Sequence, residues 1–160
     1  PLQNSSFKKC FSLKAVQSYY SFLITQTFLR KKTASIPKII YIQEVLPNKL
    51  FFRKFFGHSI EGTPGVELHH KLKKVNNVIF TKAFGDAFTN RKLKKYIKEK
   101  GIDEIFIIGC DSTKCAFYTA KGAIKNGIKV SMIIDGIFTF CPNDVEKAEG
   151  ELEKLGVKYI

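Results

Sequence analysis

The stretch that decides the fold is Ile105–Ile134, IFIIGCDSTKCAFYTAKGAIKNGIKVSMII. It begins with an apolar run that Gly109 ends, and it closes with a second apolar run, Val130–Ile134. Between the two runs lie a short polar turn and a segment with helical spacing, which begins at Cys115 and stops before Gly127. Strand, turn, helix and strand in this order predict a βαβ unit with two parallel strands.

Cys115 stands where the predicted turn becomes the helix. The first N–H groups of a helix have no intrahelical partner, and the helix dipole places partial positive charge at that end. Both effects stabilise a thiolate, and reactive cysteines at such positions have pKa values of about 3.5–7.5. The alternative is that Cys115 is a small buried apolar residue, as unpaired cysteines commonly are. Position alone leaves both interpretations open.

The remainder of the chain continues the alternation of strands and helices. The predicted strands are Lys38–Gln43, Val75–Thr81 and Val157–Ile160, and the predicted helices are Ser12–Lys32, Thr89–Lys100 and Pro142–Leu155. This alternation predicts an α/β fold of three layers, α/β/α, with a mostly parallel sheet. At 160 residues, the chain 1–160 is expected to form a single domain.

In parallel sheets of this kind, functional sites lie at the carboxyl ends of the strands. Lys82 follows the Val75–Thr81 strand, and Cys115 follows the strand that begins at Ile105. A lysine ammonium beside a cysteine stabilises the thiolate and can move a proton. The two residues are therefore a candidate catalytic pair. Three other polar residues are expected at the same edge: Gln43, Glu44 and Asp135.

The segment between Glu44 and Thr63 is predicted to be irregular and is rich in phenylalanine. A long loop in a compact domain is usually functional, for example as a lid. Its phenylalanines could equally cover a sheet edge or a subunit contact. Phe7 and Phe88 are tentative members of an apolar substrate pocket.

Composition narrows the class of protein. The net charge of +13 is spread along the chain, and no recognition motif accompanies it, so a generic basic surface is favoured over a nucleic-acid site. No apolar run reaches the roughly 18 residues of a membrane span.

The four cysteines form no CxxC pair, which is typical of a reducing, cytoplasmic location. No zinc-type spacing or phosphate-binding loop occurs, so neither metal nor cofactor is predicted.

Five segments in order carry a resemblance to a known family. They are PKIIYIQ (37–43), EGTPG (61–65), KAFGDAF (82–88), the segment from Gly109 through Cys115 to Gly127, and Asp135-Gly136. Together they resemble the isochorismatase-like cysteine hydrolase superfamily, which includes nicotinamidases and N-carbamoylsarcosine amidases. The lysine and cysteine segments are the most specific.

The resemblance implies a triad of cysteine, lysine and aspartate, with Cys115 as the nucleophile and Lys82 as the lysine. It also implies a cis peptide bond between Cys110 and Asp111, and an oxyanion hole made by the backbone N–H groups of Asp111 and Cys115. The metal-binding Asp/His cluster typical of nicotinamidases does not follow Gln43, so nicotinamidase activity is not predicted.

The family's aspartate ends its first strand in a pattern like D-x-Q-N, and here that position falls on Pro1. The expected strand order, 3-2-1-4-5-6, places this first strand in the middle of the sheet. The first strand is therefore expected to be missing or truncated, so that the strands around Ile40 and Ile107 would have to close a gap. We expect an apolar strand before Pro1 in the natural chain, and weak turnover without it.

The sequence thus predicts a cysteine hydrolase of a small molecule, acting on an amide or related C–N bond through a covalent thioester at Cys115. It is expected to be a homo-oligomer. The alternative is a catalytically silent scaffold of the same fold, which binds a partner or RNA through its basic surface.

Overall fold

A six-stranded sheet runs through the computed structural model, which describes residues 25–30, 38–68, 72 and 74–160. The strands are β1 Thr25–Arg30, β2 Lys38–Glu44, β3 Ile79–Lys82, β4 Glu104–Cys110, β5 Lys129–Phe138 and β6 Lys158–Tyr159. The α-helices are α1 Leu50–Phe55, α2 Arg91–Glu99, α3 Cys115–Lys125 and α4 Val145–Lys154. Short 3-10 turns occupy Pro64–Val66, Ala87–Thr89 and Pro142–Asp144. The predicted α/β class is confirmed.

The strands lie in the order β3-β2-β1-β4-β5-β6. The pairs β2–β3, β4–β5 and β5–β6 are parallel, so most of the sheet is parallel as predicted. Strand β1 runs antiparallel to both of its neighbours and pairs Thr27 with Ile40 on one side and with Ile107 on the other. The gap expected between the strands of Ile40 and Ile107 is therefore occupied.

Strand β1 corrects the prediction of a helix over Ser12–Lys32, which is wrong where the two overlap; the other residues of that range lie outside the described residues. The three-to-four spacing of apolar residues favoured a helix. The segment TQTFLR is also rich in β-branched and aromatic residues, which suit a strand. Strands β2 and β4 need backbone partners here, and unpaired buried N–H and C=O groups cost about 1–3 kcal/mol each.

Strand β2 is buried on both faces, as its continuous apolar run predicted. Ile40, Tyr41 and Ile42 are consecutive and each is about 1% exposed. Strand β5 continues beyond the predicted end at Asp135-Gly136 and reaches Phe138, with a register shift against β4 between Ile107 and Gly109. Glycine is needed here because a Cβ at Gly136 would lie 2.6 Å from the side chain of Ile108.

Helix α2 confirms the predicted basic helix. The side chain of Asn90 caps it by accepting hydrogen bonds from the backbone N–H groups of Lys92 and Leu93, and Gly101, with φ of 59°, follows its end. Leu93 and Ile97 enter the hydrophobic core. The lysines of the helix face solvent, which is the arrangement expected for a generic basic surface.

The segment predicted to be irregular contains helix α1, none of whose residues is buried. Phe51 and Phe55 are 58% and 67% exposed, and the ring of Phe52 lies 6.2 Å from that of Phe84. These aromatic side chains therefore form a surface cluster and not a part of the core. Within the described residues, no helix is both long and apolar enough to cross a membrane.

The turn after β3 is fastened to helix α3. The hydroxyl of Thr119 donates to the carbonyl of Gly85 at 3.1 Å and accepts from the N–H of Ala87 at 3.2 Å. One helical turn further, the side chain of Asp86 packs so closely on α3 that a Cβ at Gly122 would lie 2.2 Å from its Oδ1. The end of β3 is thus held in a fixed position relative to the first residue of α3.

We predict that Gly122→Ala destabilises the protein by about 1–3 kcal/mol, because the new methyl group forces the Asp86 turn away from α3. Gly150→Ala is the matched control, since it adds a methyl group inside α4 where no atom lies within 4 Å. This control should stabilise the protein by about 0.5–1 kcal/mol. Urea denaturation of both variants measures the difference; equal stabilities would refute the close contact at Gly122.

Candidate active site

Lys82 and Cys115 meet at the carboxyl edge of the sheet. Lys82 is the last residue of β3, and Cys115 is the first residue of α3. The Nζ atom of Lys82 lies 3.1 Å from the Sγ atom of Cys115, within hydrogen-bond distance. Lys82 is only 5% exposed and Cys115 is partly buried. The structure therefore brings together the two residues that the sequence paired.

Glu44 completes the cluster. It is the last residue of β2, and the parallel register of β2 and β3 places it opposite Lys82. Its Oε1 atom lies 3.1 Å from Lys82 Nζ and 3.8 Å from Cys115 Sγ. The sequence placed Glu44 at this edge but gave it no role. A signal was available, because an acidic residue closely follows the apolar run of β2.

The ion pair between Glu44 and Lys82 is largely withdrawn from water, with side-chain exposures of 14% and 3%. Taking a charge out of water costs several kcal/mol unless a partner of opposite charge and hydrogen bonds replace the lost hydration. Removing one member of such a pair typically costs about 3–5 kcal/mol. The carboxylate therefore compensates the charge of the ammonium and holds it beside the sulfur.

The sequence left two interpretations of Cys115 open, an activated thiolate and a buried thiol, and the surroundings of the sulfur favour the thiol. Burial of the sulfur raises the pKa of the Cys115 thiol above its ordinary value, and the charge of Glu44 adds to the rise. The ammonium of Lys82 and the backbone N–H of Asp111 act in the opposite direction, but burial outweighs them. Cys115 is therefore mainly a thiol in the resting protein at neutral pH.

The turn that leads into α3 is organised by the buried carboxylate of Asp111. This carboxylate accepts hydrogen bonds from the N–H and hydroxyl of Thr113, the hydroxyl of Thr139 and the N–H of Phe140, at 2.6–3.1 Å. Its contacts tie the turn to the segment after β5. The peptide bond between Cys110 and Asp111 is cis. Asp111 therefore has a structural side chain, while its backbone N–H serves the sulfur of Cys115.

Several residues singled out from the sequence lie elsewhere. Phe88 is 4% exposed and packs in the hydrophobic core, and its place in a substrate pocket stays a prediction. Asp135 is exposed within β5, and the side chain of Gln43 donates to the carbonyl of Val66. Phe7, like Pro1, lies outside the described residues.

Comparison with known proteins shows which family has a sequence like that of this chain. The model of the Isochorismatase domain family matches residues 3–160, which is nearly the whole chain.

The chain belongs to the isochorismatase family.

Two curated relatives are nicotinamidases. The nicotinamidase of Acinetobacter baylyi is 33% identical over 117 residues, which are 64% of this chain and 55% of that protein. The nicotinamidase/pyrazinamidase of Mycobacterium tuberculosis is 25% identical over 88 residues, 49% of this chain and 47% of that protein. This isochorismatase-family chain thus matches about half the length of each of these curated relatives.

The solved structure of a pyrazinamidase of Pyrococcus horikoshii in complex with zinc resembles this chain with a TM-score of 0.67 and 27% sequence identity. The match covers 76% of this chain and 73% of the pyrazinamidase chain. In the part of the chain that the structure describes, no group of three or more His, Cys, Asp or Glu side chains is placed to hold a metal. The described residues therefore do not fit a zinc site.

The raised pKa of Cys115 predicts how this thiol reacts with iodoacetamide, which alkylates the thiolate. A raised pKa means that less thiolate is present at any pH below it, so the alkylation midpoint of Cys115 should lie above that of glutathione. Lys82→Met should raise the midpoint further, because the cation that stabilises the thiolate is removed. Peptide mass spectrometry after timed alkylation between pH 6 and 11 measures both midpoints. A Cys115 midpoint below that of glutathione would contradict this electrostatic account.

Proposed function

We propose that this chain is a cysteine-dependent hydrolase that cleaves the amide or a related C–N bond of a small molecule, with Cys115 as the nucleophile. The observation that carries the proposal is the 3.1 Å contact between Lys82 Nζ and Cys115 Sγ at the carboxyl edge of a mostly parallel sheet. Membership of the isochorismatase family supports it, as do the two curated relatives, which are amide hydrolases by name.

The reaction begins when the sulfur of Cys115 forms a bond to the carbonyl carbon of the substrate. The π electrons of the carbonyl move onto its oxygen, and the tetrahedral intermediate collapses by breaking the C–N bond. The amine leaves with a proton, and the acyl group stays on sulfur as a thioester. Water then attacks the thioester, which releases the carboxylic acid and returns the thiol.

Lys82 stabilises the negative charge that develops on sulfur during this cycle. Its ammonium has only hydrogen-bond donors, and it is held against the sulfur by the Glu44 ion pair. The backbone N–H groups of Asp111 and Cys115 are the proposed donors to the carbonyl oxygen. Loss of one donor of this kind typically lowers kcat by about 10²–10³-fold.

The names of the relatives suggest which substrates to test first. Nicotinamidases and pyrazinamidases act on small carboxamides, so nicotinamide and other small primary amides are the starting panel. The scaffold alternative, with RNA or another partner on the basic surface, receives no support from these comparisons. Homo-oligomer formation and a cytoplasmic location stay predictions from the sequence.

We predict that Cys115→Ala abolishes release of ammonia from any amide that the wild-type protein hydrolyses, because no nucleophile remains. Lys82→Met should lower kcat by about 10²–10³-fold, the range typical of losing one group that stabilises developing negative charge. Cys141→Ala and Lys98→Met are the matched controls, since Cys141 belongs to the segment after β5 and Lys98 to the exposed face of α2, and each should keep wild-type activity. Thermal melts of all four variants test for misfolding.

The result that contradicts the proposal is clear. If Cys115→Ala retains wild-type amide hydrolysis, the covalent mechanism at this residue is excluded.

A further inference from the structure

The cluster around Cys115 poses a problem of proton transfer. The resting thiol must lose a proton before the sulfur attacks, and the leaving amine must gain one. Lys82 donates hydrogen bonds to both of its partners and, as an ammonium, has no lone pair with which to accept a proton. Another group beside the sulfur must therefore accept and return the proton.

Among the described residues, three other carboxylates come from segments close to this edge in sequence. Two of them make structural hydrogen bonds, and the third is exposed to solvent. The Asp111 carboxylate is occupied by hydrogen bonds from the turn and the segment after β5, and Asp86 accepts from the N–H of Phe88 while packing on α3. Asp135 is exposed in β5. This leaves Glu44, whose Oε1 lies within sulfur hydrogen-bond distance of Cys115 at 3.8 Å.

Strand β1 supplies no alternative from its own residues, because its sequence TQTFLR contains no acidic residue. Because β1 runs antiparallel to its neighbours, its first residues lie next to the carboxyl ends of β2 and β4. The carboxylate that lies beside the sulfur at this edge is that of Glu44, at the end of the adjacent strand β2.

We propose that Glu44 is the catalytic general base and acid of this chain, because its carboxylate contacts both the Lys82 ammonium and the Cys115 sulfur. This inference rests on the proposed function. The carboxylate takes the proton from the Cys115 thiol as the C–S bond forms, and gives that proton to the nitrogen as the C–N bond breaks. It then takes a proton from water as the hydroxyl oxygen attacks the thioester, and returns this proton to sulfur.

The position of Glu44 suits both halves of the cycle. One oxygen atom, Oε1, faces both the ammonium and the sulfur, so the carboxylate is fixed by the ion pair while it remains within reach of the reacting atom. The charged and titratable groups that face it come from three elements: Lys82 from β3, Cys115 from α3 and His58 from the segment after α1.

Glu44→Gln separates the acid–base role from the structural role, because the amide oxygen can still accept a hydrogen bond from Lys82 but cannot exchange protons. Glu99→Gln, on the exposed surface of α2, is the matched control. The probe is p-nitrophenyl acetate, whose nitrophenolate leaves without needing a proton. A burst of nitrophenolate reports acylation of Cys115, and the following steady state reports hydrolysis of the thioester.

We expect wild-type protein and Glu99→Gln to show a burst followed by turnover. In Glu44→Gln, at a pH where the thiol is ionised, the burst should stay within about tenfold of wild type, while the steady-state rate falls by about 10²–10⁴-fold. The acidic limb of the wild-type pH–rate profile should be lost in Glu44→Gln. Glu44→Asp, which keeps a carboxylate on a shorter side chain, should recover part of the rate.

Two outcomes overturn the inference in different ways. If the wild-type protein gives no burst that depends on Cys115, the proposed function itself is wrong and the role of Glu44 falls with it. If the wild-type burst is present but Glu44→Gln hydrolyses the thioester at the wild-type rate with an unchanged pH profile, the function stands and Glu44 is not the acid–base residue.

Discussion

The buried ammonium of Lys82 is the constraint on which the rest of the site depends. A charge that is 5% exposed requires an opposite charge beside it, and the carboxylate of Glu44 meets that requirement at 3.1 Å. Its position also brings a donor to the sulfur of Cys115. Three chain segments must therefore end at one point, namely β2, β3 and the turn that leads into α3.

The fold holds this point in place by two independent attachments. The parallel register of β2 and β3 places Glu44 and Lys82 side by side, and the turn after β3 is fastened to α3 through Thr119 and the close contact at Gly122. The turn before α3 is fastened in turn to the segment after β5 by the carboxylate of Asp111. The site geometry follows from the packing of the sheet and helix α3.

Much of the fold and the meeting of two site residues could be predicted from the sequence, because the relevant patterns are local or follow a general rule of topology. The βαβ unit around Cys115, the basic helix and the doubly buried strand of Ile40 were all visible as apolar periodicity. The meeting of Lys82 and Cys115 followed from the rule that parallel strands end at one edge. Strand β1 was mistaken for a helix because its periodicity suited both, and only the need of β2 and β4 for backbone partners decides between them.

The properties that could not be predicted depend on three-dimensional surroundings. The place of Cys115 at a helix start left a lowered pKa open, but burial of the sulfur raises the pKa instead, and burial is not part of the motif. Phe88 packs in the hydrophobic core, because an aromatic residue that follows Lys82 in sequence can point to either side of its turn. The role of Glu44 required two interatomic distances that no spacing in the sequence contains.

The central claim is that Cys115 becomes covalently acylated with the help of its charged neighbours. The most direct measurement is intact-mass analysis of the protein after rapid acid quenching of its reaction with p-nitrophenyl acetate, followed by peptide mapping. The account predicts a single acetyl group on Cys115 that hydroxylamine removes, and that is absent in Cys115→Ala. Acetylation confined to surface lysines, or equally distributed between Cys115 and Cys141, would contradict it.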